Sequence, residues 1–162
     1  DLSRSDSGPM ENDLVNIEEL VKATLKLTEN DASLEVIGTA RGALVMGDKR
    51  RLAQVLDNLL RNAQKYGGGV TRITVAPNGG KIEIAVEDSG PGVAPSERSL
   101  VFERFTRGAA ARKRGAGDGA GLGLALVDEH ARRHGGSARV EGKSDGEPGA
   151  RFVITLPRAG RR

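Results

Sequence analysis

A short turn between two alternating stretches constrains the fold of this chain more than any other feature. Apolar and polar residues alternate over residues 70–76 and again over residues 81–87, a pattern typical of strands with one buried face. Only Pro-Asn-Gly-Gly at residues 77–80 separates the two stretches, and this sequence favours a tight hairpin turn. The pattern therefore predicts two antiparallel neighbours in a sheet rather than a βαβ unit.

Helices and further strands are predicted around this hairpin. Apolar residues at helical spacing predict one helix over residues 17–29 and a second, with its apolar stripe at 52–63, that begins at the cap residue Asp48. A third helix over residues 122–134 ends at a Gly-Gly stop signal. Short strands are predicted at residues 34–37 and 44–46, around a turn at 38–42, and at 138–141 and 151–156. This mixture predicts an α+β fold, a two-layer α/β sandwich with a mixed, mostly antiparallel sheet and about three helices.

Composition limits the classes of function that the chain can serve. Its 162 residues suit one domain, the absence of Cys excludes disulfides and thiolate metal sites, and no apolar run approaches the roughly 20 residues of a membrane-spanning helix. The formal net charge is +3, and a basic stretch at residues 107–119 predicts a mobile loop that could attract a nucleotide phosphate or a nucleic acid. One Tyr and three Phe leave few rings for base stacking, which argues against a nucleic-acid binder.

Two asparagines on the second helix form the first candidate site. Asn58 and Asn62 are four residues apart and share a face of the helix, and Lys65 and Tyr66 follow one turn later. An amide oxygen is a suitable ligand for a Mg²⁺ ion that bridges phosphates, and a lysine can hold a phosphate as a point charge. The alternative interpretation is an ordinary solvated helix face.

Two glycine-rich stretches follow the hairpin. In residues 88–92 Asp88 directly follows a strand, where its carboxylate could accept a hydrogen bond from an exocyclic amine, although a plain turn also explains the stretch. Residues 119–124 open the third helix, whose free N–H groups favour phosphate. A Rossmann turn would need a strand just before these glycines, and a P-loop ending at 142–144 would need a glycine where Ser137 stands.

Together and in this order, these motifs resemble those of sensor histidine kinases. The matching stretches are residues 52–66 (N box), 88–92 (first glycine box), 102–105 (F box), 119–124 (second glycine box), and 134–136 with 149–157 (closing stretch). The resemblance covers about residues 15–157. It implies a Bergerat-type ATP-binding fold, ATP and Mg²⁺ as cofactors, and phosphoryl transfer to a histidine on a separate dimerisation domain, for relay to a response regulator. It also implies a location at the cytoplasmic side of the membrane.

The resemblance assigns roles to individual residues. Asn62 would ligate Mg²⁺, Asn58 and Lys65 would serve in catalysis, and Asp88 would bind the adenine amine. The expected nucleotide contacts are Asn58, Asn62, Lys65, Tyr66, Asp88, Gly90, Gly92, Arg107, Gly119, Gly121, Leu122, Gly123 and Leu124. Residues 106–119 would close over the phosphates as a lid.

The chain departs from the usual motifs of this family at a few positions. Ser89 stands where Asn or Thr is usual, and Ala150 where Thr is usual. The only histidines, His130 and His134, are expected to be surface or capping residues, so the phosphoacceptor would lie outside this chain. We expect residues 1–13 to be the tail of a dimerisation helix and linker, 14–158 the catalytic domain and 159–162 a tail, and the isolated chain to be monomeric.

Two other functions of the same fold remain open. In hydrolysing relatives a Glu, as general base, stands four residues before the Mg²⁺-binding Asn, but here that position is Asn58, which favours transfer over hydrolysis. An anti-sigma-factor-type kinase is the other alternative, and the F box and the long lid argue against it.

Overall fold

The computed structural model describes residues 8–103, 120–143 and 145–160, and the side chains of residues 120–122 are outside this description. It contains three longer helices, which are α1 (Ile17–Leu27), α2 (Lys49–Tyr66) and α3 (Ala120–Arg133). The strands are β1 (Asp13–Asn16), β2 (Ser33–Val36), β3 (Leu44–Gly47), β4 (Val70–Asn78), β5 (Lys81–Asp88), β6 (Ser137–Gly142) and β7 (Ala150–Pro157). In the part of the chain thus described, no helix is both long enough and apolar enough to cross a bilayer.

Five strands form the main sheet, in the order β2-β4-β5-β7-β6. The β2–β4 pair is parallel and the other three pairs are antiparallel. The predicted hairpin is confirmed: Asn78 pairs with Lys81, and Gly79 has a φ of +62°, a left-handed conformation that glycine adopts without strain. The α+β class and the mixed, mostly antiparallel sheet are confirmed as well.

The first strands are paired differently from the sequence prediction. Residues 34–37 and 44–46 were expected to flank a turn, yet β2 and β3 lie in different sheets. β2 runs parallel to β4, whereas β3 pairs with β1 in a separate two-stranded sheet. The sequence prediction missed β1 because four residues with only Val15 buried give no readable alternation. Its pairing is decided by a partner about thirty residues away in the chain.

The core lies between the main sheet and the helices. The apolar stripe of α2 is buried as predicted, with Leu52, Val55, Leu56 and Leu59 each at most 3% exposed. Both α2 and α3 contact strands of the main sheet, and α1 packs beside α2. Asp48 caps α2 as expected, since its carboxylate accepts from the backbone N–H groups of the helix's first turn. The two helices α2 and α3 also contact each other, so they lie side by side over the main sheet.

The other face of the main sheet carries a chain of ion pairs across three strands. Glu83 on β5 contacts Arg139 on β6, which contacts Glu141, and Glu141 contacts Arg151 on β7 at N···O distances between 2.9 and 3.4 Å. Burial raises the pKa of Glu83, but hydrogen bonds from Asn78 and Arg139 lower it more, so the pKa of Glu83 lies below its ordinary value. Burial likewise raises the pKa of Glu141, and donation by Arg139 and Arg151 outweighs it.

These depressed pKa values predict a loss of stability in acid. Carboxyls that are more acidic in the folded state contribute stability above their unfolded pKa, about 4.3, and lose it as the pH falls through the folded pKa. We expect Glu83→Gln to lower the free energy of unfolding by about 1 kcal/mol at neutral pH, and the difference from wild type to shrink towards about pH 3. Urea unfolding at both pH values measures this.

A matched variant controls for the removal of a surface charge. Glu35 forms an ion pair with Arg72 at 2.7 Å, but its side chain is 53% exposed, against 14% for Glu83. Glu35→Gln should therefore have a smaller effect than Glu83→Gln at neutral pH. A gap between Glu83→Gln and wild type that stays the same at both pH values would contradict the role of the ion pairs.

Candidate functional site

The C-terminal half of α2 carries two buried polar side chains of the proposed site. Asn62 is 7% exposed, and its amide nitrogen is buried without a hydrogen-bond partner among the described residues. The hydroxyl of Tyr66, one turn later, is also buried and unpartnered among them. Buried polar atoms are normally satisfied, so two such atoms within one turn indicate a place where another group would supply partners. This favours a ligand site over an ordinary solvated helix face.

Asn58 joins this part of α2 to the start of α3. Its Nδ2 donates to the backbone oxygen of Gly123 over 3.3 Å. Because Gly123 belongs to the second glycine box, the contact brings two motifs together that are 65 residues apart in the chain. The first turn of α3 therefore lies beside the proposed Mg²⁺ ligand, Asn62.

The residues of the second glycine box lie mostly in the first turn of α3 and differ in their surroundings. Gly121 and Leu122 lie in the first turn of α3. A Cβ added to Gly123 would meet no atom of the described residues within 4 Å. Leu124 is 5% exposed and belongs to the core, so it could contact a nucleotide only through its backbone. Arg107, Gly119 and the rest of the predicted lid lie outside the described residues.

Asp88 ends β5 and is fully buried. Its Oδ1 accepts from the backbone N–H of Gly90 at 3.1 Å and from that of Ala150 at 3.0 Å, which fixes the orientation of the carboxylate. The second contact joins the first glycine box to β7, 62 residues away. The Asp88 carboxylate is thus held between the end of β5 and the start of β7. This fixed position is not required by a plain turn, and it provides the rigidity expected of a recognition group.

Glycines surround this carboxylate because the backbone approaches it closely. A Cβ on Gly67 would lie 2.4 Å from Asp88 Oδ2, and a Cβ on Gly90 would lie 2.5 Å from the Cα of Gly67. Gly92 has a φ of +75°, and a Cβ there would lie 2.8 Å from the oxygen of Gly149. Gly149 in turn packs on the backbone carbonyl of Asp88. A Cβ added to Gly149 would lie 2.0 Å from that carbonyl oxygen. The predicted roles of Gly90 and Gly92 as shaping residues fit this packing.

Gly67 and Gly149 also lie at the site, although no role was predicted for either of them from the sequence. Gly67 opens a run of three glycines directly after α2, and Gly149 belongs to the closing stretch already noted. Both signals were therefore present, but only the structure shows that the two glycines meet at Asp88.

Lys65 is exposed and lies apart from the buried asparagine. Its Nζ is 5.7 Å from the centroid of the Tyr66 ring, and no contact of its ammonium group with Asn62 or Asp88 is found within the described ranges. It lines a cleft of about 470 Å³ on the α1 side of α2. The cleft is also lined by Thr28, Asn30, Asp57, Leu60, Arg61 and Gln64. The expected phosphate contact of Lys65 would thus need its side chain to turn towards Asn62.

The expected surface position of the two histidines is wrong. His130 is fully buried and His134 is 8% exposed. They lie on the same stripe of α3 as Val127 and Ala131, at helical spacing, and this stripe faces the core. The capping role of His134 is confirmed, since its Nδ1 donates to the oxygen of His130 in the last turn of α3 at 2.7 Å.

Comparisons with known proteins agree with the motifs. The family model described as histidine kinase-, DNA gyrase B- and HSP90-like ATPase matches residues 47–160. The signal transduction histidine-protein kinase/phosphatase MprB of Mycobacterium sp. (strain KMS) is 39% identical over 165 residues, which are 97% of this chain and 31% of that protein. The chain thus spans about a third of the length of the curated relatives that it matches.

Solved structures share the fold. The ATP-binding domain of PrrB from Mycobacterium tuberculosis has a TM-score of 0.71 and 30% identity, over 93% of this chain and 99% of that one. Full-length ShkA in complex with AMPPNP has a TM-score of 0.70 and 29% identity, over 96% of this chain and 33% of that one. The chain is therefore similar to the ATP-binding domain of PrrB over nearly the whole length of that domain.

Proposed function

The chain belongs to the family of histidine kinase-, DNA gyrase B- and HSP90-like ATPases, and from this premise we propose that it binds ATP with Mg²⁺ and transfers the γ-phosphoryl group to a histidine on a separate dimerisation domain. One observation carries the proposal: Asn58 joins the N box to the second glycine box, beside the buried Asn62, whose amide nitrogen has no partner among the described residues. This arrangement provides polar groups for a triphosphate at one place on the surface of a rigid helix pair.

Asp88 would recognise the base. Its carboxylate is fixed by backbone donors from Gly90 and Ala150, and an acceptor held in this way suits the exocyclic amine of adenine. Guanine presents a carbonyl at the same position, which a carboxylate repels. Gly90 and Gly92 would shape the pocket for the base, because only glycine lets the backbone of Gly67 and of Gly149 pack this closely beside Asp88.

The α2–α3 junction would hold the phosphates. The amide oxygen of Asn62 would hold a Mg²⁺ ion that keeps several waters, and the ion would supply positive charge against the phosphates. The backbone N–H groups at the start of α3 and the positive end of its dipole favour the same anion. Asn58 would line this site, and Lys65 would add a positive charge as it turns from the cleft towards the phosphates.

The chemistry proposed is transfer to an acceptor rather than attack by water. The amide of Asn58 cannot take a proton from water as a carboxylate can. A histidine that docks with its own nucleophilic nitrogen needs no such base in this domain. Both histidines of this chain are buried, so neither is placed to receive the phosphoryl group.

The proposal extends to the protein from which the domain comes. The dimerisation domain would precede residues 14–158, with residues 1–13 as the tail of its helix and a linker, and residues 159–162 as a tail. A response regulator would take the phosphoryl group from the acceptor histidine. The domain itself would be a monomer at the cytoplasmic side of the membrane, and the full-length protein a homodimer.

Isothermal titration with AMPPNP tests the binding step. We expect saturable 1:1 binding in the presence of Mg²⁺ and strongly reduced binding with EDTA. The guanine analogue GMPPNP serves as the matched control for base recognition and should bind more weakly. Failure of AMPPNP to bind with Mg²⁺ present would overturn the proposed function.

A further inference from the structure

A buried carboxylate at the start of α2 holds the N-terminal segment of the chain. Asp48 is 1% exposed, and its Oδ1 accepts from the backbone N–H groups of Arg50 and Arg51 at 3.0 and 3.2 Å. Its Oδ2 accepts from Arg51 Nε at 3.3 Å and from the backbone N–H of Glu11 at 3.1 Å. One side chain thus caps the helix and anchors the segment of residues 8–11, which we call the linker.

Arg51 provides a second attachment for the linker. Its side chain is 3% exposed, and its guanidinium donates both to Asp48 and to the backbone oxygen of Gly8. Burial raises the pKa of Asp48, but the hydrogen bonds from Glu11 and Arg51 and the charge of Arg51 lower it more, so the pKa lies below its ordinary value. The buried pair thus joins the linker to the first turn of α2 through Glu11 and Gly8.

His134 completes this cluster from the end of α3. Its Nε2 accepts from the backbone N–H of Asp48 at 3.1 Å, while its Nδ1 donates to the oxygen of His130. The ring lies against Gly47, where an added Cβ would be 2.4 Å from its Cδ2. We call Gly47, Asp48, Arg51 and His134 the Asp48 hub, because the linker, α2 and α3 all meet there.

The hub is one end of a polar seam between α2 and α3. Asp48 contacts His134, Gln54 contacts the Nε2 of His130 at 3.3 Å, and Asn58 contacts Gly123 at 3.3 Å. The residue numbers of these contacts increase along α2 and decrease along α3, so the two helices run antiparallel. Hydrogen bonds join them at three levels along their length. The contact between Asn58 and Gly123 lies at the proposed phosphate site. It is about 15 Å from the hub along α2, because ten helical residues separate Asn58 from Asp48.

We propose that the Asp48 hub couples the linker to the nucleotide site, so that attachment of residues 8–11 and binding of nucleotide favour each other. The inference rests on the proposed function, which places the dimerisation domain before the linker. A shift of His134 against Asp48 moves α3 along α2 and changes the Asn58–Gly123 contact, because packed helices move as rigid units. His134 acts as a positioning residue in this coupling, and the coupling is reciprocal by linkage.

Two substitutions at Glu11 test the coupling with little risk to the fold. The side chain of Glu11 is exposed, and only its backbone N–H contacts the hub. Glu11→Pro removes that N–H, whereas Glu11→Ala keeps it. We expect Glu11→Pro to weaken binding of Mg²⁺–AMPPNP about fivefold, the lower end of usual coupling, and Glu11→Ala to bind as wild type does. Equal affinities for the two variants, with wild type binding normally, would overturn the coupling alone.

A second measurement follows the coupling in the other direction. In wild type, AMPPNP should slow hydrogen exchange of the Glu11 amide, and in His134→Phe, which keeps a ring but loses both hydrogen bonds, it should have no effect there. Val75→Ala, a buried sheet residue outside the hub, is the control for a general loss of stability. An equal response of Glu11 in wild type and His134→Phe would overturn the inference. A wild-type chain that binds no AMPPNP would instead remove the proposed function and the coupling with it.

Discussion

Replacing Asn62 by alanine is expected to abolish Mg²⁺-dependent binding of ATP while the fold keeps or gains stability. Asn62 lies in the interior of α2, 7% exposed, and its amide nitrogen has no partner among the described residues. The substitution therefore breaks no hydrogen bond of that nitrogen within the described structure, and it removes an unsatisfied buried group. Alanine also favours the helix by roughly 0.5 kcal/mol over asparagine. A buried residue that lowers the stability of the fold is typical of a functional site.

Titration with AMPPNP and thermal unfolding together measure this effect. We expect no detectable Mg²⁺-dependent binding and a melting temperature equal to or above that of wild type. Gln64→Ala, an exposed position on the same helix, is the matched control and should bind as wild type does. Wild-type affinity of Asn62→Ala in Mg²⁺ would remove Asn62 from the metal site, whatever the change in stability.

Asp88→Asn is expected to weaken ATP binding and to reduce the preference for ATP over GTP. An asparagine oxygen in the place of Oδ1 can still accept from Gly90 and Ala150, so the loop geometry should persist. The amide nitrogen then replaces Oδ2 on the side of Gly67. A donor there suits the carbonyl of guanine and opposes the amine of adenine. The loss for ATP should be on the order of tenfold to a hundredfold, which is the cost of leaving a buried polar pair mismatched.

The affinity ratio of AMPPNP to GMPPNP is the measurement for this variant. Glu87→Gln is the matched control, because it changes the neighbouring carboxyl, whose partner Arg151 lies on the ion-paired face of the sheet. We expect its ratio to equal that of wild type. If Asp88→Asn kept both affinities, the carboxylate would have no part in recognising the base.

Much of the scaffold could be predicted because its signals are local. The hairpin depends on the continuous stretch of residues 70–87, and the α2 stripe depends on spacing within one helix. The cap at Asp48 is likewise set by its neighbours, since its Oδ1 bonds lie within three residues. The motifs of the candidate site were readable for the same reason: each one lies on a single continuous stretch of chain.

The sequence by itself thus determined the α+β class, the position of α2 and the residues that surround the candidate site. The tertiary structure alone decided which strands β1 and β3 join, that both histidines are buried, and that Gly67 and Gly149 meet at Asp88. It also decided the contact between Asp48 and His134, 86 residues apart. Two physical reasons account for this. Strands of four residues have too few positions for a readable period, and residues far apart in sequence meet only in the folded chain. The burial of a polar side chain depends on a partner that only the folded chain brings near.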